Sequence, residues 1–373
     1  MSNVQYSEYL QLDKILSAQQ LLSECSMDGG QGGASAGKQA HDEMLFIVIH
    51  QAYELWFKQI LFELRSVVEI FGQRPLDDKK IGVAISRLER IVTIQRVLVH
   101  QVDIIETMTP LDFMEFRDLL VPASGFQSIQ FKQIEILLGL KKRQRIPADQ
   151  DFFRTRLTES ERSELNNLEA NGSLHDLIEG WLERIPFLEL DSFDFLAEYE
   201  KAVLNMFDSE GEIIRSNHAL SDQEREFQLG ALEQTVQGFQ LLLHKSKAKG
   251  FNSQTHFRMS QKAVLAALFI HLYRDEPILF VPFQLLTHLV EIDELWTTWR
   301  QRHAIMVQRM LGTRIGTGGS SGHQYLKKTT ETNRVFSDLF NLSSYLIPRS
   351  RLPQLPQDVR QQLGYYFSNK TTQ

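Results

Sequence analysis

Two histidines and one arginine sit where a folded chain would ordinarily place apolar residues. His50 lies in LFIVIHQAYELWF, and on a helix its face carries Phe46, Tyr53, Glu54 and Phe57 at i−4, i+3, i+4 and i+7. An imidazole on such a face is costly unless its ring nitrogens find partners. Two readings stand: a core histidine bonded to a backbone or carboxylate group, or a functional one. His303 lies in WTTWRQRHAIMVQRML, with Trp299, Met306, Val307 and Met310 at the same offsets. An imidazole among large polarizable groups is one ingredient of a haem site, which needs an axial ligand, an apolar slot and cations near its propionates. Arg300, Arg302 and Arg309 are at hand for the last task, or are simply solvated. Arg117, in MEFRDLLVPASGFQS, is flanked by Phe113, Phe116 and Leu120. A guanidinium in aromatic surroundings suits bidentate capture of a carboxylate, and equally an interhelical ion pair.

Other motifs dissolve on inspection. GGASAGKQ, ending at Gln39, stops one residue short of a phosphate loop, because Gln39 stands where Ser or Thr would hold Mg²⁺. Gly318–Gly322 spells G-x-S-x-G, but it follows a long helical pattern, whereas a nucleophile elbow follows a strand. None of the 11 histidines completes E-x-x-H or H-x-x-x-H, so ferritin-like di-iron and zincin readings fail.

The elements that must position these residues read as helices throughout. Helical spacing predicts segments over 2–22, 41–71, 79–106, a start at Thr109–Pro110, 125–138, 158–183, 191–207, 221–247, 261–274, 283–311 and 331–340. Residues 140–155 read as a basic surface connection, and 27–37 and 312–322 as Gly-rich loops. With no βαβ alternation, the expected fold is an all-α multi-helix bundle, kept as one domain over residues 1–373. Within it we expect an N-terminal arm over about 1–24 and a flexible loop over 27–38. The 373-residue chain has 42% hydrophobic and 23% charged residues, ordinary globular composition. Its net charge of −7 argues against nucleic-acid binding. The longest apolar run, 263–270, falls far short of the ~20 residues a bilayer span needs, so no membrane segment is expected. A single cysteine, Cys25, excludes an intrachain disulfide, and a cytoplasmic setting is the simplest expectation.

Longer blocks then speak together. HDEMLFIVIHQAYELWFKQILFEL, FRDLLVPASGFQSIQFKQIE, YRDEP, WRQRHAIMVQRMLG, GTGGSSG and DLFNLSSYLIPR resemble, in order, the signature blocks of the tryptophan 2,3-dioxygenase family, from Tyr6 to about Arg349. The resemblance implies an all-α haem b enzyme, active with Fe²⁺ and usually a homotetramer. It inserts both atoms of O₂ across the indole C2–C3 bond of L-tryptophan, giving N-formyl-L-kynurenine, the first step of the kynurenine route. It implies His303 as the axial ligand of the haem iron and His50 as the distal histidine near the indole N–H. Arg117 would hold the substrate carboxylate, and Thr317 the ammonium and carboxylate ends. Phe46, Phe113 and Leu120 would wall the indole pocket, and Ser124 would lie near the haem. Tyr6 and Tyr9 match a Y-x-x-Y element that reaches into a neighbouring subunit's site. His323 and Lys327 depart from a commoner Tyr and Arg after the Gly-rich loop.

Overall fold

The computed structural model describes residues 4–25, 39–77, 79–145, 154, 157–188, 192–243, 251–312, 314 and 322–364. Among them every regular element is helical and no strand occurs, as the spacing predicts. Thr317, the Gly-rich stretch at 28–37 and most of the GTGGSSG block lie outside the described residues. No helix among the described residues is long and apolar enough to cross a membrane.

The contacts divide the chain into two compact units, each assembled from three separated stretches. The first comprises Met1–Arg65, Arg90–Asn171 and Glu294–Arg334; the second comprises Ser66–Glu89, Gly172–Asp293 and Val335–Gln373.

The first unit begins with three short helices, α1 (Tyr6–Leu10), α2 (Leu12–Leu16) and α3 (Leu22–Cys25). The expected single helix over 2–22 is broken at Gln11, which adopts a left-handed φ of 52°. No residue of α1 or α2 is buried, so nothing apolar holds the two pieces in line. What fixes the arm is its root. The buried Glu43 carboxylate accepts from the backbone N–H of Leu22 (2.7 Å) and Ser23 (3.0 Å) and from the Ser23 hydroxyl (2.5 Å). Gln51 Nε2 donates to the Ala18 carbonyl (3.1 Å). Both anchors stand on the long helix α4 (Asp42–Gly72), which also carries Phe46 and His50.

Helix α5 (Lys79–Ile105) follows, then α6 (Pro110–Met114). The Thr109–Pro110 start holds: Thr109 and Asp112 form a reciprocal capping box with proline at the first helical position. Arg117 sits in a 3₁₀ turn, Arg117–Leu120. The helix expected from Gly125 starts later. Gly125–Gln127 is a 3₁₀ turn, Ser128 caps Phe131 N–H, and α7 runs Ile129–Leu138 to a stop at Gly139, where φ is 124°. The expected surface character of 140–155 is corrected at its start, where Leu140 and Arg145 are buried. The helix expected over 158–183 is two. Helix α8 (Glu159–Ala170) packs on α7 and ends before Gly172, which takes a φ of 81°; Ser173 then caps α9 (Leu174–Leu182).

In the second unit α10 (Phe195–Ser216) packs against α11 (Asp222–Leu243), and after α12 (Phe251–Gln254) the largely apolar α13 (Gln261–Leu272) packs on α9. Helix α14 (Pro277–Leu311) starts earlier than expected, carrying Pro282 within it. The last expected helix, 331–340, is also two: α15 (Gly322–Thr332) and α16 (Ser337–Asn341). The chain leaves helical geometry because the Asp293 carboxylate accepts from the backbone N–H groups of Val335 and Phe336. Helix α17 (Gln357–Leu363) closes the described chain.

Candidate active site

Within the first unit, α4, α5, α7, α14 and α15 surround a cavity with about 280 Å³ within reach of a water molecule's centre. Phe46, His50, Phe113, Arg117, Ser124 and His303 all line it. Residues far apart in sequence, singled out by type or by the family resemblance, therefore meet around one space. Leu120 is not among the lining residues. It packs behind them, in an apolar cluster with Met108, Phe116, Met310, Phe46 and Phe113. Tyr6 and Tyr9 are 76% exposed on α1 and line no part of this cavity.

The local geometry assigns the imidazoles different tasks. His50 Nδ1 lies 2.7 Å from the Phe46 carbonyl one helical turn back. A carbonyl only accepts, so Nδ1 carries the hydrogen and Nε2 is left with its lone pair. Burial pushes the His50 pKa down, opposed by the Phe46 carbonyl and the Glu54 charge, so the ring stays neutral at physiological pH. The Phe46 ring lies 4.1 Å from His50, centroid to centroid, and Phe113 stacks on Phe46 at 5.8 Å.

His303 is held by packing. Trp299 stacks on it at 5.2 Å and 19°, and Tyr53 meets Trp299 edge-on while its hydroxyl donates to the Leu98 carbonyl at 2.8 Å. Burial, and then the neighbouring His50, hold the His303 pKa at about 4. No hydrogen bond reaches its ring nitrogens from the described residues. A neutral imidazole with a spare lone pair, facing a cavity walled by Ile49, Val102, Ile105 and Met306, has the donor chemistry an axial haem ligand needs.

Charge enters from one wall. Glu135 Oε1 accepts from Arg300 Nη2 at 2.9 Å and Oε2 from Lys132 Nζ at 3.1 Å, while Arg300 Nη1 donates to the Asn333 carbonyl at 2.9 Å. Burial alone would push the Glu135 carboxyl up; the Lys132, Arg300 and Arg145 cations reverse this and hold it at about 2. Arg117, Lys132 and Arg300 line the cavity with Glu54 and Glu135, so three cations stand there against two carboxylates. Propionates would meet net positive charge, and the residues present fit a haem. Arg302 and Arg309 do not share this duty. Arg302 is tied to Asp103 (2.6 Å) and Glu106 (3.1 Å), Arg309 is exposed, and neither lines the cavity. Sequence reasoning missed Lys132 and Glu135. Their only signal was two charges, three residues apart, in the otherwise uncharged SIQFKQIEILL.

Glu135→Gln leaves two buried cations without their carboxylate, and we expect a loss of about 3–5 kcal/mol of stability at neutral pH. A group whose folded pKa is depressed stabilises above its ordinary pKa and loses that contribution as pH falls. For Glu135 the contribution is complete above 4.5 and fades toward about 2. The gap between wild type and variant in urea melts should therefore narrow across that window; equal stability at neutral pH refutes the assignment.

Arg117 completes the constellation. Its side chain is 17% exposed and Nη1 lies 3.9 Å from Asp118 Oδ1, a loose pair whose acidic partner is 93% exposed. A pair so solvated holds a guanidinium weakly, and Arg117 lines the cavity, where an anionic group could meet it.

An all-α chain with two neutral imidazoles, an aromatic wall and a guanidinium around one cavity has the make-up of a small-molecule enzyme. Comparison with known proteins is specific. The family model described as tryptophan 2,3-dioxygenase matches residues 1–346. Curated relatives of that name are 50% identical over 97% of this chain and 97% of their own length in Alteromonas mediterranea, and 46% identical over 98% and 99% in Bdellovibrio bacteriovorus. A mouse relative is 43% identical over 94% of this chain and 84% of its own. The chain belongs to the tryptophan 2,3-dioxygenase family, and it is a tryptophan-degrading dioxygenase.

Proposed function

We propose that the chain is a haem-dependent enzyme that inserts both atoms of O₂ across the indole C2–C3 bond of L-tryptophan, releasing N-formyl-L-kynurenine. The observation that carries this reading is the meeting of His50, His303 and Arg117 around one cavity. Haem b in the Fe²⁺ state, when bound, supplies the metal at which O₂ is activated. His303 would hold its iron, Ser124 would lie near the haem, and Lys132 and Arg300 would supply the cations for its propionates. Phe46 and Phe113 form the slot for the indole ring, backed by Leu120. His50 Nε2, kept as an acceptor by the Nδ1 bond to Phe46, receives the indole N–H and orients the ring. Arg117, with Thr317, fixes the amino-acid end, so that C2 and C3 stay beside the oxygen. No external reductant is consumed because both oxygen atoms enter the product. The test is turnover of the reduced chain with L-tryptophan and ¹⁸O₂. Product carrying two labelled atoms supports the reading; one labelled atom, or none, rejects it.

We further propose a homotetramer in which the arm of one chain serves a neighbour's cavity. The support is that Tyr6 and Tyr9 are both 76% exposed while the arm's root is pinned to α4. Removing residues 1–12 should leave haem content near normal, weaken tryptophan binding and loosen the oligomer. Unchanged tryptophan affinity in the truncated chain counts against a shared site. The three interleaved stretches in each unit support treating residues 1–373 as one domain, and a single cysteine suits a reducing cytoplasm.

A further inference from the structure

His175 opens α9 in the second unit and is 1% exposed, yet neither ring nitrogen has a hydrogen-bond partner among the described residues. Buried imidazoles without partners are costly, so the site calls for a ligand of its own. His175 Nδ1 lies 3.9 Å from Asp176 Oδ1, and donor atoms of His175, Asp176 and Glu179 all fall within 4.8 Å of one another. We propose that these three side chains bind a divalent transition-metal ion, Zn²⁺ by donor type, as a structural site apart from the cavity.

The donor set is one imidazole and two carboxylates, which suits Zn²⁺ with water in the fourth position. Bonds of about 2.0–2.2 Å place tetrahedral donors ~3.3 Å apart, so small rotamer shifts close the observed spacing. Each carboxylate is already steadied by a hydrogen-bond donor, as metal ligands commonly are. Asp176 Oδ2 accepts from the Ser173 N–H (3.2 Å) and hydroxyl (2.8 Å), and Glu179 Oε1 accepts from the Ser260 N–H (2.7 Å). The imidazole is held by the Phe336 ring, stacked at 6.0 Å. Asp338 adds a further carboxyl within electrostatic reach of His175. Asp176 has 37% of its side chain exposed, which gives an ion a path from solvent.

The ion would pin the first turn of α9, the turn that follows the Gly172 break, to the start of α13 through Glu179 and Ser260. The test uses the full chain, stripped with a chelator and then dialysed against micromolar Zn²⁺. Wild type should retain one more Zn²⁺ per chain than His175→Leu or Glu179→Gln. Its melting temperature should rise with Zn²⁺ and fall back with chelator, while the variants stay level. Leucine fills the buried imidazole site with apolar volume, and glutamine keeps the acceptor for Ser260. If His175→Leu fails to fold by circular dichroism, Glu179→Gln alone decides. Equal Zn²⁺ content, or an equal thermal shift, in wild type and a folded variant overturns the proposal.

Discussion

His303→Ala should emerge from purification with little haem, its Soret band greatly reduced and tryptophan turnover down by roughly two orders of magnitude or more. The reason lies in how the imidazole is held. Trp299 stacks on its face, no described residue hydrogen-bonds its nitrogens, and burial and then His50 keep its pKa at about 4. Protein packing therefore presents a neutral lone pair to the cavity without using it. Removing the ring leaves an imidazole-sized hole beside Trp299, so added imidazole should restore part of the Soret band and part of the activity in His303→Gly. That rescue separates lost ligation from a collapsed fold. A normal Soret spectrum with normal turnover in His303→Ala would sink the ligand assignment.

Arg117→Ala carries the second large effect. Truncating one partner of a desolvated charge pair costs about 2–5 kcal/mol, which is roughly 30-fold to several thousand-fold in affinity. The KM for L-tryptophan should rise by that order while haem content stays near normal, because the role proposed for Arg117 is to hold the substrate carboxylate and not the haem. Tryptamine, which lacks the carboxylate, should be a poor substrate for wild type and should lose little more in the variant. Equal turnover of tryptamine and tryptophan by wild type contradicts the role given to Arg117.

The long helices were legible because their apolar residues recur with helical period over many turns, as in 42–72 and 79–105. His50, His303 and Arg117 were legible for the opposite reason: each interrupts an apolar face, and polar groups there need a purpose. The breaks were harder. The helix expected across 158–183 stops at Gly172 because the backbone takes a positive φ there, and the Ser173 cap that restarts it lies hidden in a polar run. The break inside the 331–340 segment depends on Asp293, some forty residues earlier in the chain. Glu135 reaches Arg300 across 165 residues, a pairing no local period encodes, so the sequence offered Arg300, Arg302 and Arg309 as equals. Burial and distance separate them: Arg300 lines the cavity, and Arg302 spends its charge on Asp103 and Glu106.

The clasp between Glu43 and Ser23, with Gln51 on Ala18, sets a radius. Ala18 lies twelve positions after Tyr6. Wound as helix they span ~18 Å at 1.5 Å per residue; drawn straight they reach no more than ~43 Å. Tyr6 can therefore act only inside a sphere centred on the flank of its own α4. Any assembly in which one chain's tyrosines serve another's cavity must bring that cavity inside this sphere, so the clasp turns a question of chemistry into one of packing distance between subunits. A change that removes the outer anchor, such as Gln51→Ala, shifts the pivot from Ala18 back to Leu22 and Ser23 and so enlarges the sphere while leaving both tyrosines intact.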